Sequence, residues 1–294
     1  MASVRERAYA GVADLRRMQD AASARFGRGL EHVGDLAWGV RNNSHLELGR
    51  MVTLLESAAG ELLGWTWFSA DGWFEAVAVV DEPQLGEALA AAVAATVERA
   101  IGAGDVVDKV SVLCDDRHES LAAALLARGF VRLDEELEIT RRGLAGLPEP
   151  AVPDGLRFAG LDDEALVEAK VEAHRAAFAP SSLTLPMYQR ARRTWPYRGE
   201  LDRVVVDGEG RVLAACLGWL DPGNGWGLLE PVGTRPEHRR RGLAAAVCLD
   251  ALHALRRAGA HAAQVACESG EAGCATYHSL GFVTERRMGI LRRT

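Results

Sequence analysis

The sequence predicts an α/β fold, helices with a mixed sheet, built twice in two tandem domains. Three observations point there. The chain has 294 residues, more than one hydrophobic core usually organises, so two domains are the first expectation. The stretch Gly146-Leu147-Pro148-Glu149-Pro150-Ala151-Val152-Pro153-Asp154-Gly155 packs three prolines and two glycines into ten residues, which neither a helix nor a central strand tolerates. On its C-terminal side, turn-punctuated apolar runs alternate with amphipathic helical patterns. The expected division is therefore 1–145, a linker at 146–155, and 156–294.

Within 156–294 the elements are read in order. A short strand near Leu156–Ala159 precedes a helix over Glu164–Phe178, with Asp162 as its cap, and a second helix over Leu185–Thr194. Three apolar runs follow, Arg203–Val206, Val212–Leu220 and Gly227–Val232, separated by Asp207-Gly208-Glu209-Gly210 and Asp221-Pro222-Gly223-Asn224-Gly225. Turn chemistry at both breaks predicts an antiparallel meander. A long helix over Glu237–Arg257 places Leu243, Val247, Ala251 and Leu255 on one face, and Gly259 stops it. A buried strand at Ala262–Cys267, a helix at Ala272–Ser279 and a strand at Val283–Leu291 complete the domain.

The N-terminal half repeats parts of this pattern. Leu89-Ala90-Ala91-Ala92-Val93 matches Leu243-Ala244-Ala245-Ala246-Val247 at an offset of 154, and Gly129-Phe130 matches Gly281-Phe282 at an offset of 152. Similar offsets between similarly placed elements suggest duplication.

Composition narrows the function. With 34 Lys and Arg against 41 Asp and Glu the formal charge is −7, which argues against general affinity for nucleic acid or an anionic membrane surface. No apolar run reaches the roughly 18 residues of a membrane span, and the first residues lack a signal-peptide pattern; a cytoplasmic protein is expected. Five cysteines, Cys114, Cys216, Cys248, Cys267 and Cys274, stand at irregular spacings and read as reduced core thiols. Cys274 and His278 are four apart, but no second ligand pair lies at metal-site spacing, so no metal is expected. Trp38, Trp65, Trp67 and Trp73 read as core or interface residues.

The chemistry concentrates in Glu230-Pro231-Val232-Gly233-Thr234-Arg235-Pro236-Glu237-His238-Arg239-Arg240-Arg241-Gly242-Leu243-Ala244, which joins a strand end to the longest helix. A helix N-terminus presents unpaired N–H groups and partial positive charge, and Gly242 lets an anion approach the backbone. Four arginines in seven residues add charge locally. The residues read as a phosphate site; a solvated basic loop opening an amphipathic helix is the bland alternative.

Here the sequence resembles a known family. Arg239-x-x-Gly242-x-Ala244 is similar to the Gln/Arg-x-x-Gly-x-Gly/Ala motif of the GNAT acetyltransferases, and Val232-Gly233-Thr234-Arg235-Pro236 resembles the strand end before it. Downstream, Tyr277 followed four positions later by Gly281-Phe282 resembles a second family motif. The resemblance covers 156–294 and implies two tandem GNAT-like domains that use acetyl-CoA as cosubstrate. It places Val232, Gly233, Thr234, Arg239, Arg240, Arg241, Gly242, Leu243, Ala244 and Ala245 at the cofactor. It gives Tyr277 the role of protonating or orienting the departing thiolate, since a phenol is protonated at neutral pH. Gly270 stands where many members carry a cofactor-contacting asparagine.

Aminolysis of a thioester needs a neutral amine, so a carboxylate or an ordered water must take a proton. Glu230, two residues before Val232 and so on the same face of a regular strand, is the expected base, with Glu268 or water in reserve. Pro231 cannot donate to a strand ladder and suits a place where pairing is broken. Tyr188, Trp195 and Tyr197 lie in the segment that walls the acceptor site in related enzymes. The first half lacks these features: Leu85, Gly86, Glu87 and Ala88 fall opposite Arg239, Arg240, Arg241 and Gly242, and Leu125 falls opposite Tyr277. Residues 81–89 thus carry no phosphate loop.

The expected function is acetyl transfer from acetyl-CoA to the amine of a small molecule, directly in a ternary complex. No cysteine sits in a recognisable triad that would suggest a covalent intermediate. A non-catalytic acyl-CoA-binding module with a regulatory or structural role is the alternative. Neither the acceptor nor the oligomeric state is readable from the sequence.

Overall fold

A computed structural model of the chain describes residues 4–25, 32–42, 45–69, 73–79, 83–102, 109–115 and 119–293. In chain order the elements are β1 (Arg5–Ala8), α1 (Val12–Ala24), α2 (Val33–Gly39), α3 (His45–Met51), β2 (Val52–Glu56), β3 (Leu62–Phe68), β4 (Trp73–Ala78), α4 (Pro83–Gly102), β5 (Val110–Asp115), α5 (Glu119–Leu126) and β6 (Val131–Gly143). Then follow β7 (Arg157–Gly160), α6 (Val167–Ala177), α7 (Leu185–Arg192), β8 (Asp202–Val206), β9 (Val212–Asp221), β10 (Trp226–Thr234), α8 (Leu243–Arg257), β11 (Ala262–Glu268), α9 (Ala272–Ser279) and β12 (Val283–Arg293). The second series repeats the first, strand for strand. β1 and β7 begin 152 residues apart, β2 and β8 150 apart, and α5 and α9 153 apart.

The chain forms two compact units that are not contiguous in sequence: 1–31 with 42–138 and 286–294, and 32–41 with 139–285. The sequence division at 146–155 does not separate them. That segment carries no helix or strand, as its prolines dictate, but Leu147 and Val152 pack on the second unit's core, and Pro148 O accepts from His253 Nε2 at 2.9 Å. It is docked, not free.

In the first unit the sheet order is β1-β2-β3-β4-β5-β12. The last strand pairs antiparallel with β5, Gly289 opposite Cys114. Its core gathers Phe68, Phe74, Leu89, Val93, Val112 and Leu291. Trp65 and Trp67 are buried here, as expected, and Trp73 is half-buried.

The second unit's sheet runs β6-β11-β10-β9-β8-β7, so β6 holds the place that β12 holds in the first. Thr140 Oγ1 of β6 donates to Val265 O of β11 at 3.0 Å. One face packs on α8 and α9 through Val247, Ala251, Leu255 and Phe282; the other packs on α2, α6 and α7 through Trp38, Val171, Tyr188 and Trp219. The expected antiparallel meander is β8-β9-β10.

Three sequence expectations are corrected. The helix expected from Glu164 opens as a 3-10 turn, Glu164–Leu166, and its cap is Asp163, whose carboxylate accepts from Ala165 N at 3.0 Å, not Asp162. The long helix starts at Leu243, not Glu237, because Arg240 (φ 58) and Gly242 (φ 75) hold the chain in the left-handed region just before it. Its end is as expected: Gly259 (φ 106) terminates it, with Ala260 N bonding back to Leu255 O at 2.9 Å. Finally, Cys267 and Cys274 are joined in a disulfide, so five reduced thiols are not what the structure holds. The turn after β11, closed by Glu271 N on Glu268 O, folds the first turn of α9 back until the two Cα atoms lie 5.4 Å apart.

Candidate active site

The strand that carries Glu230 and leads into the basic loop, β10, lies beside a local break in the second unit's sheet. β10 and β11 pair in parallel only from Trp226–Ala262 to Leu228–Gln264, although both strands continue beyond. On its other side β10 carries a bulge: Leu229 lies opposite Gly218 and Val232 opposite Cys216, so Glu230 and Pro231 fall in the irregularity. The Glu230–Pro231 peptide is cis. Proline's missing donor fits a place without a ladder partner. The bulge also means that simple side-chain alternation does not relate Glu230 to Val232.

Trp219, fully buried on β9, donates from Nε1 to Glu230 O at 2.7 Å and so fixes the bulge from the adjacent strand. The Glu230 side chain remains partly exposed, yet the protein packed around it raises its carboxyl above the usual carboxylate range by desolvation, with the Arg41 cation opposing. Tyr277, on α9, is 8% exposed and stacks edge-on to Phe282 with ring centroids 6.0 Å apart. Burial holds its phenol far above the ordinary value, and the neighbouring Cys248, Cys216 and Glu230 add to this, so it is neutral at any working pH.

The loop from Thr234 to Leu243 is built to stay open. Gly233 admits the end of α6: a Cβ there would sit 2.8 Å from Phe178 and 2.9 Å from Ala177. Arg239 Nη2 donates to Ala177 O at 2.9 Å, tying the loop to the C-terminal end of that helix, where a cation is favourable. Arg235 Nε donates to Val212 O at 2.7 Å. Arg235 is half-buried, whereas Arg239, Arg240 and Arg241 are exposed; Arg235 and Arg239 tie the loop to the protein, and Arg241 lies beside His238 Nδ1 at 2.8 Å. The first intrahelical bond of α8 is Ala246 N to Gly242 O, which leaves the N–H groups of Leu243, Ala244 and Ala245 directed out of the helix end. Nothing lies within 4 Å of a Cβ built on Gly242. Thr234 Oγ1 is buried and has no hydrogen-bond partner among the described residues.

On the other face of the sheet, the expected acceptor residues separate. Tyr188 is fully buried and donates its hydroxyl to Asp202 Oδ2; it is a core residue, which corrects its expected place at the acceptor. Its ring lies under Lys170 Nζ, 4.3 Å from the centroid, and Lys170 in turn lies 3.6 Å from Asp202 Oδ2. Helical spacing alone cannot distinguish a tyrosine facing a cleft from one that satisfies a buried carboxylate. Tyr197 is half-buried and Trp195 is exposed, so both retain surface.

No local sequence pattern marks α2 as part of the second unit. His32–Arg41 belongs to the second unit although it precedes that unit's other residues by about a hundred positions. Trp38 packs edge-on to His174, with centroids 5.8 Å apart. Burial, then the Lys170 and Arg41 cations, depress His174 to about 3, so the ring is neutral. No local pattern around Trp38 could have announced a contact with α6.

Residues 165–282 match the sequence profile of the acetyltransferase (GNAT) family. Comparison with curated protein sequences gives no match. Among solved structures, the chain is similar to a GCN5-related N-acetyltransferase from Sphaerobacter thermophilus (TM-score 0.69, 18% identity, 99% of this chain and 95% of that one). It is also similar to a tandem GNAT protein from the clavulanic acid biosynthesis pathway (TM-score 0.64, 15% identity, 99% and 98%) and to a GNAT-family acetyltransferase from Colwellia psychrerythraea (TM-score 0.59, 15% identity, 99% and 100%). At these identities the likeness is one of fold. The chain therefore carries a GNAT acetyltransferase domain at residues 165–282, within a fold shared with tandem GNAT proteins.

Proposed function

We propose that the chain is an acetyl-CoA-dependent N-acetyltransferase that moves acetyl to the amine of a small molecule by direct transfer, and that only its second unit is catalytic. The observation that carries this reading is the parting of β10 from β11 after Leu228, beside an open helix end. A free strand edge can pair with an extended amide-bearing chain such as pantetheine. An uncrowded left-handed glycine with three unpaired N–H groups suits a pyrophosphate. The unpartnered hydroxyl of Thr234 fits as a further donor or acceptor to the same group. Acetyl-CoA would supply the activated acyl group; Val232 to Thr234 and Arg239 to Ala245 would hold it.

Within that frame Glu230 takes the proton of the acceptor's ammonium, directly or through water. Its raised carboxyl makes it a stronger base than an exposed glutamate. Tyr277 keeps its proton, since burial disfavours the phenolate, and donates a hydrogen bond to the developing thiolate as the C–S bond breaks. Trp195 and Tyr197 offer acceptor contacts.

The test is thiol release from acetyl-CoA with a panel of small amines: a polyamine, an amino sugar, an arylethylamine and amino acids. Amine-dependent release supports the enzyme. Tight CoA binding with no turnover on any amine would favour a non-catalytic acyl-CoA-binding module instead.

A further inference from the structure

The α2 segment holds β10 directly before the point where that strand leaves β11, and through Trp219 of β9 after it. Before the break, His32 Nε2 meets Trp226 O at 3.0 Å. The tautomer follows from the partners: His32 Nδ1 accepts from Gly34 N at 3.0 Å, so the proton is on Nε2 and is donated to the carbonyl. Burial, which depresses this imidazole to about 4, keeps it in that neutral form. After the break, Gly34 closes on Trp219, whose indole holds Glu230 O at 2.7 Å. The fit is tight, for a Cβ on Gly34 would lie 2.4 Å from Trp219 Cγ. At the far end of the segment, Arg41 O is held by Arg190 Nη2 at 3.0 Å, and the Arg41 guanidinium stacks 4.3 Å from the Trp38 ring centroid.

We infer that the α2 segment, His32–Arg41, is a positioning element for acetyl transfer, fixing the β10 bulge and Glu230 through the Gly34–Trp219–Glu230 contact and the His32–Trp226 bond. This gives the N-terminal sequence a role in the second unit's chemistry that is separate from any cofactor site of its own. It rests on the reading of Glu230 as the base. Arg41 adds an electrostatic part: it is the cation that opposes the rise of the Glu230 carboxyl. The other titratable groups acting there are Tyr277 from α9, whose phenol stays neutral, and, around Arg41, the neutral His174 and the buried Lys170 from α6.

The experiment uses the full chain and compares Gly34→Ala, His32→Ala, Arg41→Gln, Arg41→Lys and Glu230→Gln. Hydrogen exchange of peptides spanning 226–234 needs no acceptor; it should quicken about tenfold in Gly34→Ala and His32→Ala, with peptides from α8 unchanged. With the best amine of the panel, kcat should fall about tenfold or more while the KM for acetyl-CoA holds, because a misplaced base costs rate and not cofactor binding. Loss of Arg41 should let the Glu230 carboxyl rise further and move the acidic limb of the rate profile about one pH unit higher in Arg41→Gln, with Arg41→Lys restoring it. Exchange and rates like the parent's in Gly34→Ala and His32→Ala, or an unmoved limb in Arg41→Gln, would overturn the inference. A parent-like profile in Glu230→Gln would instead overturn the base assignment, which keeps the two failures distinct. Should Gly34→Ala not fold, His32→Ala and the Arg41 pair still decide.

Discussion

The two units repeat one succession of elements, and they differ most where a cofactor would bind. In the first, β4 ends at Ala78 and α4 begins at Pro83, leaving four positions between them; in the second, β10 ends at Thr234 and α8 begins at Leu243, leaving eight. The shorter connection, 79–82 in the sequence, contains no arginine or lysine, and α4 buries Leu85 and Leu89. The glycines tell the same story. Gly86 lies inside α4, where a Cβ would meet Ser120 Oγ at 2.4 Å and Leu121 N at 2.6 Å, so it serves close packing on α5. A Cβ on Gly242 would meet nothing within 4 Å beyond its chain neighbours, and its φ of 75 is left-handed. One glycine is needed for contact with protein; the other keeps space clear.

Further along, the backbones agree while the chemistry does not. Gly129 and Gly281 both have φ 83, Phe130 N bonds to Leu125 O at 3.2 Å, and Phe282 N bonds to Tyr277 O at 3.1 Å. The same turn thus presents leucine in one unit and a phenol in the other. The turn and the side chain presented beside it vary independently, and both units have glycine at the left-handed position because the turn needs it.

The largest effect should come from Gly242→Asp. A left-handed residue with a side chain costs about 1–3 kcal/mol, and a carboxylate there repels phosphate, so affinity for CoA should fall by about a hundredfold or more in calorimetry. The matching change in the first unit, Ala88→Asp, should leave affinity as it was. Next is Tyr277→Phe, which should lower kcat about a hundredfold with CoA affinity unchanged, since a hydrogen bond to a developing thiolate acts chiefly in the transition state. Parent-like rates with several amines would remove Tyr277 from the chemistry. For Glu230→Gln the pH–rate profile is the measurement. In the parent, rate should rise with pH through a limb above the usual carboxylate range, because the raised carboxyl must lose its proton to act as base; the variant should lose that limb. The smallest effect on activity should come from Gly86→Ala. Overpacking against α5 should destabilise the first unit by about 1–3 kcal/mol, read as a fall in the thermal midpoint, with no change in CoA binding.

Much of the second unit was legible because its signals are local. The turn sequences marked the β8-β9-β10 meander, apolar spacing marked α8, and the motif around Gly242 marked the loop. The helix start was misplaced because Glu237–Arg241 has ordinary helix formers, and only the left-handed Arg240 and Gly242 set the boundary. Glu230 and Pro231 suggested broken pairing, but not the bulge or the indole of Trp219 that holds it, which sits eleven residues upstream. Tyr188 was misjudged because its buried partner, Asp202, lies on another element. The exchange of β6 and β12 and the place of α2 depend on contacts between distant segments, for which a single sequence carries no signal.

On the function proposed above, one fold, made twice, retains one cofactor site. Isothermal titration of the full chain with CoA tests it most directly. The expected stoichiometry is near one per chain, with affinity lowered about a hundredfold or more by Gly242→Asp; two equivalent sites per chain, or unchanged affinity in Gly242→Asp, would overturn the single-site reading.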